Sequence, residues 1–107
     1  MAQILQINFK FNVPREQFEE TCASMAQDFA NVPGLLWKVW LMNDKENEAG
    51  GIYLFADEAS VEDYKASPLV AGVLSHPALS DFNIKQFEVL DDVSRVTRAP
   101  LPATAAA

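Results

Sequence analysis

Basic residues are scarce in this chain, and cysteine and histidine scarcer still. Eight Lys and Arg stand against fifteen Asp and Glu, a formal charge of −7. That balance repels phosphate backbones and anionic lipid surfaces, which argues against nucleic acid and membrane partners. It favours neutral, cationic or apolar ligands, while leaving room for a local basic pocket. One cysteine, Cys22, forms no internal disulfide and no CxxC pattern; a small core residue is its ordinary role. With one Cys and one His a structural zinc site has no ligand set, and no metal is expected. No apolar run approaches the roughly 20 residues that span a bilayer. The N-terminus, MAQILQINFKF, has no basic region ahead of an apolar one and does not read as a signal peptide. These absences leave a soluble cytoplasmic protein as the expectation.

Half of the 107 residues are hydrophobic, enough for one domain with its own core. The expected division is a single domain over 1–98 and a flexible tail, APLPATAAA, over 99–107. Residues 3–11 alternate, with Leu5, Ile7, Phe9 and Phe11 on one face, and read as a strand. Residues 15–31 carry Phe18, Cys22, Met25 and Phe29 at helical spacing. Residues 35–42, LLWKVWLM, form a second strand. Leu35, Trp37, Val39 and Leu41 are expected on one face, and Leu36, Lys38, Trp40 and Met42 on the other. A polar loop over 43–49 leads to GGIYLFA, the third strand. Asp57 suits an N-cap for a helix over 58–66. Pro68 interrupts that pattern, a further helical turn follows to His76-Pro77, and 82–90 reads as the last strand. A short helical turn at DDVSRVT completes the chain.

The order β-α-β-β-α-β predicts an α+β, ferredoxin-like antiparallel sheet with its helices on one face. The two tryptophans are an odd number of residues apart and must face opposite sides of that sheet. One then packs toward the helices. The other lies on a face too apolar for a monomer, which predicts a homodimer, sheet against sheet.

Trp37, Trp40, Tyr53, Phe55 and Tyr64 are candidates for the walls of a flat slot that takes a small apolar or aromatic molecule. Lys38, Asn8 and His76 are the candidate polar groups, His76 as a possible base because it titrates near neutrality. Lys38 is expected either to reach solvent or to pair with a carboxylate such as Glu48 across the hairpin. GGIYLF faintly resembles an RNA-recognition motif. The acidic balance and Glu48, where that motif opens with a basic residue, argue against it.

The segments LWKVW, EAGGIYLF and DEAS with Tyr64, together with LQINFKFN at the N-terminus, resemble the YdhR-like monooxygenases. These belong to the dimeric α/β-barrel superfamily of antibiotic-biosynthesis-type monooxygenases. The match is specific over 34–64 and fades after Pro68. The resemblance implies a homodimer with a hydrophobic cavity between sheet and helices. It also implies oxidation of a phenolic, anthrone-like or quinol-type compound by O₂ with no cofactor. A haem-degrading branch of the superfamily uses an Asn on the first strand with a Trp and a His on the second helix. Asn8 and His76 fit that pattern, but residues 58–76 contain no Trp. A non-catalytic binding protein for an apolar ligand is the remaining alternative.

Overall fold

The computed structural model describes residues 1–102. Its elements are β1 (Gln3–Phe11), α1 (Arg15–Ala30), β2 (Leu35–Asn43), β3 (Glu48–Phe55), α2 (Glu58–Lys65), α3 (Pro68–Leu74), β4 (Leu79–Glu88) and α4 (Asp91–Val96). The four strands form one antiparallel sheet in the order β2-β3-β1-β4. This is the ferredoxin-like arrangement that the β-α-β-β-α-β order predicts.

Strand parity decides which side chains meet the helices. In register, Leu5 lies opposite Tyr53, and Tyr53 opposite Lys38; Ile7 lies opposite Gly51, and Gly51 opposite Trp40. This face meets Phe29 of α1, Val61 and Tyr64 of α2 and Val70 of α3 in the main core. The Asp57 carboxylate caps α2, accepting from Ser60 N at 2.8 Å. Pro68 opens α3 at its first turn rather than breaking it, because the missing N–H costs nothing there. Ser67 caps the same end, its Oγ accepting from Val70 N.

The regular alternation expected along β2 fails at its start. Leu35 pairs with Phe55 and Trp37 with Leu54, so Leu36 is an extra residue in a bulge. Leu35 therefore packs on the helix-side core, while Trp37 lies on the opposite face with Ile4, Leu54 and Val89. The polar connection after β2 contains a single 3₁₀ turn, Asp44–Glu46, closed by Asn47 in the left-handed region at φ 51°.

Residues 99–102 are tied to the domain. Trp37 Nε1 donates to the carbonyl of Pro100 at 2.8 Å, and Arg95 donates to that of Pro102 at 2.7 Å. The remainder of the expected tail, 103–107, lies outside the described residues. No helix among the described residues is long and apolar enough to cross a membrane.

Candidate functional site

A cavity of about 90 Å³ lies between the sheet and α1, and is closed on its third side by the segment from Gly72 to Leu79. One water needs roughly 10–15 Å³ and an apolar cavity of about 150 Å³ takes benzene, so the enclosed part admits no more than about one ring, and any further ring of a ligand lies at its open side. The apolar stripe of α1 supplies one wall: Phe18, Cys22, Met25 and Phe29, with Gln17 and Thr21 beside them. The sheet supplies Phe9, Lys38, Trp40, Gly50 and Tyr53, and the segment after α3 supplies His76. A second depression beside Asp28, Asn31, Asp63, Tyr64 and Ser67 is larger, about 740 Å³. It is more open to solvent, and its two carboxylates, Asp28 and Asp63, stand beside Val32, Pro33, Pro68 and Leu69 with no basic group among the lining residues.

Lys38 is the centre of the cavity's chemistry. Its Nζ lies 3.5 Å from the ring centroid of Phe29, 3.5 Å from that of Trp40 and 4.7 Å from that of Tyr53. Gly51 makes this possible: a Cβ at that position would come within 2.8 Å of Lys38 Cε. The expected carboxylate partner is absent. Glu48 pairs with Asn43, an odd number of residues along β3 from Tyr53, and so points to the other face. Lys38 forms no ion pair among the described residues. Burial pushes its pKa down to about 7, while the ring faces act the other way by favouring the ammonium.

The neighbouring thiol and phenols stay neutral near pH 7. Burial raises the Cys22 thiol, with Lys38 opposing it, and pushes the Tyr53 hydroxyl up to about 12. Tyr64, whose ring centroid is 5.3 Å from that of Tyr53, is raised further, chiefly by burial and then by the adjacent phenol. His76 Nδ1 accepts from Ala78 N at 3.1 Å, which leaves Nε2 as the ring's donor.

Of the residues singled out in the sequence, Lys38, Trp40, Tyr53 and His76 come together on the cavity. The others do not. Asn8 pairs with Gly50, one residue out of phase with Ile7 and Phe9, and accepts from Gln6 Nε2 on the outer face. Trp37 is on that same outer face, bound to Pro100. Phe55 is fully buried in the core. Tyr64 stands behind Tyr53 and borders the second depression instead. Cys22, expected in the core, is a half-buried part of the cavity wall. Sequence reading missed the α1 wall as a whole: spacings of four, three and four are the same for a stripe that packs and a stripe that borders a void. Among the described residues no group of three or more His, Cys, Asp and Glu side chains could hold a metal ion.

Solved structures share this architecture. A protein of unknown function from Nitrosomonas europaea, NE2512, superposes with a TM-score of 0.73 at 21% identity, covering 96% of each chain. SnoaB, a cofactor-independent oxygenase from Streptomyces nogalater, gives 0.68 at 23% identity over 82% of this chain and 92% of its own. The haem-degrader MhuD from Mycobacterium tuberculosis gives 0.62 at 21% identity over 83% and 97%. At these identities the likeness establishes the fold. No curated protein matches the chain. Residues 4–100 match the family described as "Putative mono-oxygenase ydhR", and it is to this ydhR family that the chain belongs.

Proposed function

We propose that the protein is a monooxygenase-like enzyme that oxidises a small phenolic, anthrone-like or quinol-type compound with O₂, the substrate itself supplying the electrons. The observation that supports this most is Lys38: an amine with no carboxylate partner, in a cavity walled by rings, whose proton affinity is brought close to neutrality. A neutral Lys38 takes the proton of the bound enol or phenol and pairs with the resulting anion. That anion is electron-rich enough to react with O₂ at ring carbon. For an anthrone, a CH₂ becomes a C=O: one oxygen atom enters the product, and the other leaves as water with the two methylene hydrogens. Lys38 returns its proton to the departing oxygen. Tyr53, held neutral by burial, is a second hydroxyl donor on the cavity wall. The apolar α1 wall excludes water from the intermediate.

Purified protein given an anthrone or hydroquinone is expected to consume O₂ without added cofactor. Lys38→Met is expected to slow turnover by about 100-fold or more, the usual scale of a lost acid–base group. Absence of O₂ uptake across a panel of such compounds would remove this reading. The haem alternative has weaker support, since Asn8 and His76 do not face one cavity; it requires a Soret band on titration with haem.

The proposed enzyme is a homodimer formed through the outer sheet face, where Val39 and Phe87 are 46% and 50% exposed. Val39 pairs with Ile52 and Phe87 with Ile4 on that face, an apolar surface that a monomer leaves in water. Val39→Asp is expected to convert a dimer to a monomer in sedimentation equilibrium. A wild-type protein that sediments as a monomer at micromolar concentration contradicts the assembly.

A further inference from the structure

All fifteen carboxylates of the chain lie within the described residues, and none of them lines the cavity. A protein of net charge −7 thus encloses a site whose one strongly basic group has no counter-charge. The groups facing Lys38 from each element packed on it are Cys22 on α1, Tyr53 on β3 and, across the cavity, His76 beyond α3. None can supply negative charge. The thiol and the phenol are both held neutral by burial, and imidazole is neutral or cationic. A half-buried ammonium with no anion beside it is costly, and such a group in a cleft is a candidate site for a ligand that completes it. The rings around Lys38 offset part of that cost, but they leave its charge unmatched.

We propose that the cavity is built for an aromatic anion, a one- or two-ring compound whose charged oxygen pairs with Lys38 while its ring packs on Phe18, Met25 and Phe29. The charge sits on a carboxylate or on a phenolate, which present the same acceptor to the amine. The inference rests on the site described for the proposed oxidation and deepens it: the substrate is an acidic aromatic compound rather than a neutral one. The overall charge of the chain points to neutral or cationic ligands, but no carboxylate lines the cavity, and over a few ångströms a directly contacting charge outweighs screened charges outside the site. Net charge governs approach to the protein; the unpartnered lysine governs what stays.

The test is calorimetric binding of 2-naphthoate and its uncharged isostere 2-naphthamide, with 4-nitrophenol as a phenolate probe. Naphthoate is expected to bind about 10- to 100-fold more tightly than the amide, the range for one charge-assisted hydrogen bond. At pH 8, where much of Lys38 is neutral, binding is expected to draw up to about one proton from the buffer. That uptake is read from the heats in two buffers of different ionisation enthalpy. Lys38→Met is expected to abolish both the preference and the uptake while keeping the affinity for the amide. Preference for nitrophenol over naphthoate assigns the phenolate; the reverse assigns the carboxylate. Equal affinity for naphthoate and its amide, binding without proton uptake, or no binding of either at millimolar concentration each overturns the proposal. Because none of these readouts involves turnover, a protein that binds the anion but consumes no O₂ refutes the oxidation and leaves this inference standing.

Discussion

Gly50→Ala is expected to destabilise the protein by at least about 3 kcal/mol, the upper end of the range for overpacking a close-packed site. Gly50 lies opposite Asn8 on β1 and Leu41 on β2, in the middle of the sheet. A Cβ built there overlaps the carbonyl oxygen of Ile7 and comes within 2.9 Å of Asn8 Cα. Both obstacles are backbone, so relief requires β1 and β3 to part, with loss of ladder hydrogen bonds at the site's floor. Gly72→Ala makes the opposite prediction from the same change. It sits inside α3, with nothing within 4 Å of an added Cβ. Alanine there is expected to stabilise by about 0.5–1 kcal/mol through helix propensity and reduced unfolded-state entropy. Urea denaturation of the two variants beside the wild type checks both. Equal midpoints for Gly50→Ala and wild type would show that the strands do not approach as closely as described.

The double glycine of EAGGIYLF was visible in the sequence, but its two roles were not. Gly50 permits strand contact, and Gly51 leaves the space over which Lys38 lies. Both depend on what crosses the strand, which a local pattern does not record. The alternation of Leu5, Ile7 and Phe9 and the Asp57 cap were legible because each is enforced within a few residues, by pleat geometry or by one hydrogen bond. The face of Trp40 was narrowed by parity and then fixed by the helix that packs above it: Phe29 meets Trp40 edge-on, with centroids 5.2 Å apart. The bulge at Leu36 escaped because it depends on how β2 pairs with β3, and LLWK alternates as well with the bulge as without it. The environment of Lys38 escaped for a related reason. Its partners come from α1, β2 and β3 at once, and the nearest carboxylate in sequence is a poor guide to what surrounds a side chain in space.

Between pH 7 and 9 the wild-type protein is expected to become more stable as pH rises, and Lys38→Met is expected to remove most of that rise. Lys38 titrates near 10.5 when unfolded and at about 7 when folded. In the interval between them the unfolded chain holds the proton that the folded chain has released. Unfolding therefore binds a proton, and stability increases with pH at up to about 1.4 kcal/mol per unit. Below pH 7 both states are protonated, and the full cost of burying the ammonium is present. The methionine variant, which keeps the apolar length of the side chain, is expected to exceed the wild type there by up to about 5 kcal/mol. Cation–π contacts favour the ammonium and so reduce this figure. Above about pH 8 Cys22 opposes the rise, because its raised pKa makes stability fall as the unfolded thiol ionises first; the interval from 7 to 8 isolates the lysine. Denaturation curves for both proteins at pH 6, 7, 8 and 9 decide the matter, and parallel pH profiles would show that Lys38 is solvated. The amine that weakens the empty protein near neutral pH is the same group that the proposed aromatic anion would pair with, so binding of that anion is expected to recover part of this cost.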